Sequence, residues 1–201
     1  LRIKSKYMKL QIATASVVGA EHRKKNLNNQ DSFLVHQEDD LLIAIVSDGC
    51  GSSLRSDVGS QVLCELLKQV ILEHKSQIGK EYFLQLCFER LCDKLSQTCL
   101  VLGFQTSDIE KYFYASLVCC IVYEEQAYIF SCGDGSYIVN DDFVKIEPQE
   151  GNMPIYPAYR FVSTTINPEV LKKELKFHLH YHADLSYVDY LMIGTDGVED
   201  Y

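Results

Sequence analysis

Three apolar runs in this chain stop at an aspartate, and that pattern constrains the fold more than any other. IAIVSDGCG, YIFSCGDGS and YLMIGTDG each place a carboxylate at the end of a strand-length apolar stretch. The longest apolar runs, LLIAIV at 41 to 46 and LVCCIVY at 117 to 123, are too short to span a bilayer and read as central strands buried on both faces. One Asp-Gly pair alone is a common hairpin signal. Asp48-Gly49, Asp134-Gly135 and Asp196-Gly197 at the rims of buried strands, with Gln30-Asp31 before another, mean something more. Hairpins there rarely need a charge, and several converging rims build an oxygen-rich pocket. Hard oxygen ligands select Mg2+ or Mn2+ over zinc or copper.

The remaining pattern predicts strands at 10 to 18, 32 to 37 and 41 to 47, with a polar loop at 19 to 31 and a hairpin turn at 38 to 40. Val58, Val62, Leu66 and Val70 fall on helical spacing in a helix from about Ser56, its cap, to His74. After Gly79 a second helix runs from about 80 to 102. Strands follow at 113 to 123, 126 to 132, 137 to 140 and 144 to 146, then an irregular proline-containing stretch at 147 to 160 and a strand at 161 to 165. Asn167 and Pro168 open a helical turn through Lys173, and strands at 177 to 182 and 190 to 194 close the chain. Strands grouped around one helix pair imply a segregated α+β architecture, an antiparallel β-sandwich flanked by helix pairs. One domain spanning residues 1 to 201 is expected.

Charge and cysteine content narrow the function. Nineteen basic against 28 acidic residues give a formal charge of −9, a poor match to a nucleic-acid backbone. Eight cysteines with no CxxC pair read as buried reduced thiols, and Cys119 and Cys120 point to opposite faces of one strand. Lys4, Lys6 and Lys9 precede LQIATASVVGA, but Gln11, Thr14 and Ser16 interrupt it, so it reads as a strand and not as a signal peptide. A cytoplasmic protein with no membrane and no nucleic-acid partner is expected.

Four segments in order carry a family resemblance: GAEHRKKNLNNQDSF (19 to 33), VSDGCGSSLRSDVGS (46 to 60), FYASLVCCIVYEEQAYIFSCGDGS (113 to 136) and LMIGTDGVED (191 to 200). Together they resemble the metal-dependent serine/threonine protein phosphatases of type 2C, in a bacterial-type variant branch. The resemblance implies that Asp48 bridges two Mg2+ or Mn2+ ions and that the Gly49 carbonyl is a ligand. It implies that Asp31 closes the ring around the metals and that Asp196 is the late-strand ligand. Asp134 and Asp200 match a third, weaker metal site. Asp48, Asp31 and Asp196 would then be the catalytic carboxylates. Two dications sharing a carboxylate lower the pKa of a bridging water, which attacks phosphorus in line. A phosphorylated protein is the implied substrate, and a cognate Ser/Thr kinase the implied partner.

The chain also departs from the family pattern. The first motif usually carries a phosphate-binding arginine; here that role falls to His22, Arg23 or Asn26, in a loop that also reads as a solvated basic segment. Gln30 stands where many members have glutamate, and Cys50 where some have a histidine acid. The final metal-binding aspartate of the family does not occur before Tyr201, so the domain is expected to lack its last strand or strands. These differences keep open a second reading, a weak or inactive phosphatase-like binding module. A third draws on His178, His180 and His182, which alternate along one strand and would present three imidazoles on one face to zinc. Arg55 reads either as a phosphate contact or as a surface ion pair.

Overall fold

The computed structural model describes residues 10–19, 23–24, 28–148 and 153–200, the last two without their side chains. Two antiparallel sheets form the frame. The first has five strands in the order β1-β2-β3-β4-β7, and the second has three in the order β6-β5-β8. The strands are β1 (Ser32–Glu38), β2 (Leu41–Ser47), β3 (Leu117–Tyr123), β4 (Gln126–Cys132), β5 (Gly135–Val139), β6 (Asp142–Ile146), β7 (His178–Asp184) and β8 (Leu191–Gly194). The helices are α1 (Ser56–Glu73), α2 (Phe83–Leu102), α3 (Thr106–Tyr112) and α4 (Pro168–Glu174).

Period-2 alternation in the central strands builds two cores. Leu41, Ile43 and Ile45 of β2 and Leu117, Cys119 and Ile121 of β3 face α1 and α2. Leu42 of β2 and Val118, Cys120 and Val122 of β3 face the second sheet, against Tyr137, Val139 and Ile146. Cys119 and Cys120 thus lie on opposite faces, as their adjacency requires. Both runs are apolar throughout because both faces are covered.

Three local expectations differ from the structure, and one helix was not expected. Residues 10–18 form no strand. Ile12 and Val17 sit at an odd separation, so a strand would put them on opposite faces, and both are exposed. Residues 161 to 165 are not a strand, because Phe161 closes a 3-10 turn over Pro157–Arg160 with its N–H on the Ala158 carbonyl. Ser56 is not the cap of α1 but its first residue, and its hydroxyl is used elsewhere. Helix α3 carries no periodic signal, since Ile109 is its one buried residue, and it is fixed instead by a capping box between Gln105 and Asp108. Asn167 caps α4 as the sequence indicates, accepting from the Glu169 N–H at 2.9 Å.

Candidate active site

Strand register brings the four aspartates to one end of the sandwich. Ser32 at the start of β1 pairs with Ser47 at the end of β2, which puts Asp31 beside Asp48. Val46 pairs with Val118 near the start of β3, and Leu117 pairs with Cys132 at the end of β4, one turn before Asp134. Ser136 in β5 pairs with Gly194 in β8, which brings Asp196 to the same rim. None of the three Asp-Gly pairs is a two-residue hairpin. Gly49 bridges to Ala115, Gly135 opens β5, and Asp196 opens the 3-10 turn Asp196–Asp200.

The rim is held by backbone as well as side chains. The Asp48 carbonyl accepts from Ser116 N–H at 2.9 Å, and Cys50 N–H donates to the Tyr114 carbonyl at 2.8 Å. Between those two bonds, the N–H and C=O of Gly49 face away from the 114–116 segment. A Cβ on Gly49 would sit 2.6 Å from the Gln30 carbonyl, so only glycine lets the two chains approach this closely. Gly133 carries φ 96°, and a Cβ there would meet the Ser116 Cβ at 2.6 Å. Only glycine accepts this conformation and this close approach just before Asp134.

The electrostatics follow from carboxylates that face one another. Burial, then the charges of Asp31 and Asp196, push the Asp48 carboxyl up to about 9, with a hydrogen bond to Asp196 and the charge of Asp134 adding to the rise. Burial pushes Asp134 up to about 6, against hydrogen bonds from its own backbone and the Ser116 hydroxyl. Asp31 accepts from Thr195 Oγ1 at 3.1 Å, which ties the first strand to the last. Like charges this close disfavour common ionisation, so the cluster holds a proton where it could hold a cation. A donor set of hard carboxylate and carbonyl oxygens fits Mg2+ or Mn2+.

The sequence-derived residues thus divide into three groups. Asp31, Asp48, Gly49, Asp134 and Asp196 come together. Arg23 is exposed on a short helical turn at 23–24. His22, Asn26 and the Asp200 side chain lie outside the described residues. Arg55 forms an ion pair, its Nε 3.0 Å from Asp57 Oδ1, and Asn28 donates to the other Asp57 oxygen at 2.9 Å. Burial raises the Asp57 carboxyl, but the Arg55 and Asn28 hydrogen bonds outweigh it and hold it below the usual range.

The three histidines do not share a face. A β-bulge makes His180 the extra residue of β7, opposite the step between Ile129 and Phe130. His180 Nε2 lies 2.8 Å from Ser131 Oγ beside Tyr137 of the second sheet, whereas His182 stacks on Tyr128, which belongs to the helix-side core. His178 turns to Glu174 of α4. Among the described residues no three His, Cys, Asp or Glu side chains are grouped tightly enough to hold an ion as they stand.

Sequence reasoning missed the serines under the rim. Ser47, Ser56, Ser60, Ser116 and Ser131 are all buried. Ser47 Oγ donates to the Ser116 carbonyl at 2.7 Å, Ser131 Oγ to the Gly133 carbonyl at 3.1 Å, and Ser60 Oγ to the Gln30 carbonyl at 2.8 Å. Each hydroxyl satisfies a carbonyl at or near a strand end that has run out of ladder partners. The visible signal was a serine shortly before the Asp-Gly pair that follows β2 and the one that follows β4. Cys50 is half-buried. Burial raises its thiol, but hydrogen bonds with Ser52, Tyr156 and Ser53 prevail and lower it. Tyr156 stacks on Tyr114 at 5.5 Å behind this loop.

Solved structures share this fold. Serine/threonine phosphatase Stp1 from Staphylococcus aureus superposes with a TM-score of 0.59 at 16% identity, over 87% of this chain and 72% of that one. A bacterial serine phosphatase gives 0.54 at 17% identity, over 87% and 74%. Serine-threonine phosphatase 2C from Toxoplasma gondii gives 0.54 at 13% identity, over 86% and 75%. At these identities the likeness establishes the fold. No curated protein sequence matches the chain. The protein phosphatase 2C family matches residues 18–200, nearly the whole length, and the chain belongs to that family.

Proposed function

We propose that this protein is a Mg2+- or Mn2+-dependent phosphatase that hydrolyses phosphoserine and phosphothreonine in proteins. The observation that carries the reading is the convergence of Asp31, Asp48, Asp134 and Asp196 on one rim, brought there by strand register, where the other three charges act on Asp48. Four clustered carboxylates are costly unless protons or a cation offset them, and a divalent cation offsets more than one. When bound, such ions supply Lewis-acid polarisation of the phosphoryl oxygens and of a water.

The chain's own residues do the rest. Asp48, at the centre of the cluster, would hold the ions. The Gly49 carbonyl, turned away from residue 115, adds a neutral oxygen. Asp31 and Asp196 flank Asp48, and the Thr195 hydroxyl orients Asp31. Asp134, at the same rim, would hold a further ion. The rim is open to solvent through the exposed Asp196, so a phosphorylated side chain on a protein surface can reach it.

Phosphate release from a phosphothreonine peptide tests the reading. Turnover is expected with Mn2+, none with EDTA, and none in Asp48→Asn with Mn2+. Equal release by the wild type and by Asp48→Asn would overturn it. A cognate Ser/Thr kinase that phosphorylates the same substrates belongs to the same proposal. Among the described residues no helix is long and apolar enough to cross a membrane.

A further inference from the structure

An amide next to Asp31 has two roles open to it: a neutral oxygen ligand to a cation, or a donor that organises backbone. The geometry shows where its N–H groups go. Gln30 Nε2 lies 2.7 Å from Ser56 Oγ, 3.1 Å from the Ser53 carbonyl and 3.3 Å from the Cys50 carbonyl. Both carbonyls can only accept. Ser56 Oγ donates its proton to the Cys50 carbonyl at 2.9 Å, so it too must accept from Gln30. The Cys50 carbonyl also takes the Ser53 N–H at 2.9 Å, and the Gln30 carbonyl takes Ser60 Oγ at 2.8 Å.

We infer that Gln30 is a positioning residue: its amide clamps the loop after β2 to the segment before β1 and so presets the separation between Asp31 and the Asp48–Gly49 pair. This rests on the phosphatase reading, because the separation matters only if those groups hold a shared ion. The clamp needs N–H groups. A glutamate at position 30 has none to offer at neutral pH, and it would bring a negative charge against two carbonyls and a hydroxyl whose proton is already committed. The two roles therefore predict opposite signs. If residue 30 were a ligand, a carboxylate there would tighten cation binding; as a clamp, it loosens it.

The test is calorimetric titration of Mn2+ into wild type, Gln30→Glu and Gln30→Met, beside phosphate release across Mn2+ concentrations. Methionine keeps the length of the side chain without a donor or a charge. Both variants are expected to bind Mn2+ about tenfold more weakly or worse, with turnover largely recovered at saturating Mn2+. Metal-free amide exchange at residues 50–56 should be at least about fivefold faster in Gln30→Met. Affinity in Gln30→Glu equal to or tighter than wild type would overturn the clamp, as would wild-type affinity in Gln30→Met. If Gln30→Glu does not fold, Gln30→Met carries the decision. If wild type neither binds Mn2+ nor releases phosphate, the functional reading fails, and the exchange rates alone still decide the clamp.

Discussion

The two ends of the sandwich are both acidic, yet Asp40 at one end and Asp48 and Asp134 at the other shift in opposite directions. At the end away from the site, Asp39 and Asp40 form the β1–β2 turn after Glu38, and Glu124 and Glu125, at φ 48° and 65°, form the β3–β4 turn. There a hydrogen bond from Lys75 draws the Asp40 carboxyl down, and Lys75 also lies 3.8 Å from Glu38. At the site end, Asp48 and Asp134 are pushed up by burial and by other carboxylates. An exposed carboxylate settles with a lysine or with water. Buried carboxylates that face one another cannot all ionise together and take up a proton or a cation instead, and that demand distinguishes a candidate site from a solvated turn.

The largest test of this contrast removes the central charge. Asp48→Asn should lower phosphate release from a phosphothreonine peptide by at least about a thousandfold at saturating Mn2+, while the substitution leaves the fold intact by circular dichroism. Next comes the close approach that builds the rim. Gly49→Ala places a Cβ 2.6 Å from the Gln30 carbonyl, and should destabilise the protein by about 1–3 kcal/mol in urea melts and weaken Mn2+ binding.

Stability against pH separates the two ends by sign. Asp48 moves from 3.8 in the unfolded chain to about 9 in the folded one, so folding takes up a proton. Its contribution is full below about 3.8 and is lost as pH rises through about 9; that of Asp134 is lost through about 6. The metal-free melting temperature should therefore fall as pH rises from 5 to 9, and Asp48→Asn should flatten that fall. Asp40 has the opposite sign, contributing above its unfolded pKa and losing that contribution in acid. Because the Asp40 pair is exposed, Asp40→Asn should change stability by less than about 1 kcal/mol and leave phosphate release unchanged.

The strands that carry the candidate site were legible because apolar runs of strand length end at Asp48, Asp134 and Asp196. The order of the sheets was not legible, since pairing β4 with β7 and β5 with β8 spans connections whose length carries no register. The histidine strand shows how a local rule fails. Alternation put His178, His180 and His182 on one face, and a single inserted residue at a bulge sent His180 to the other. Helix α3 was missed because a capping box leaves no apolar period to read. The buried serines were missed because the carbonyls they satisfy are distant in sequence, as with Ser60 and Gln30, 30 residues apart.

Calorimetric titration of Mn2+ into the metal-free protein at pH 7.5, in two buffers of different ionisation enthalpy, tests the central claim most directly. If the rim carboxylates hold a proton in place of a cation, binding should release about one proton per chain, chiefly from Asp48, whose carboxyl stands near 9. Asp48→Asn should bind more weakly and release none. Mn2+ binding without proton release, or with release unchanged in Asp48→Asn, would contradict the account.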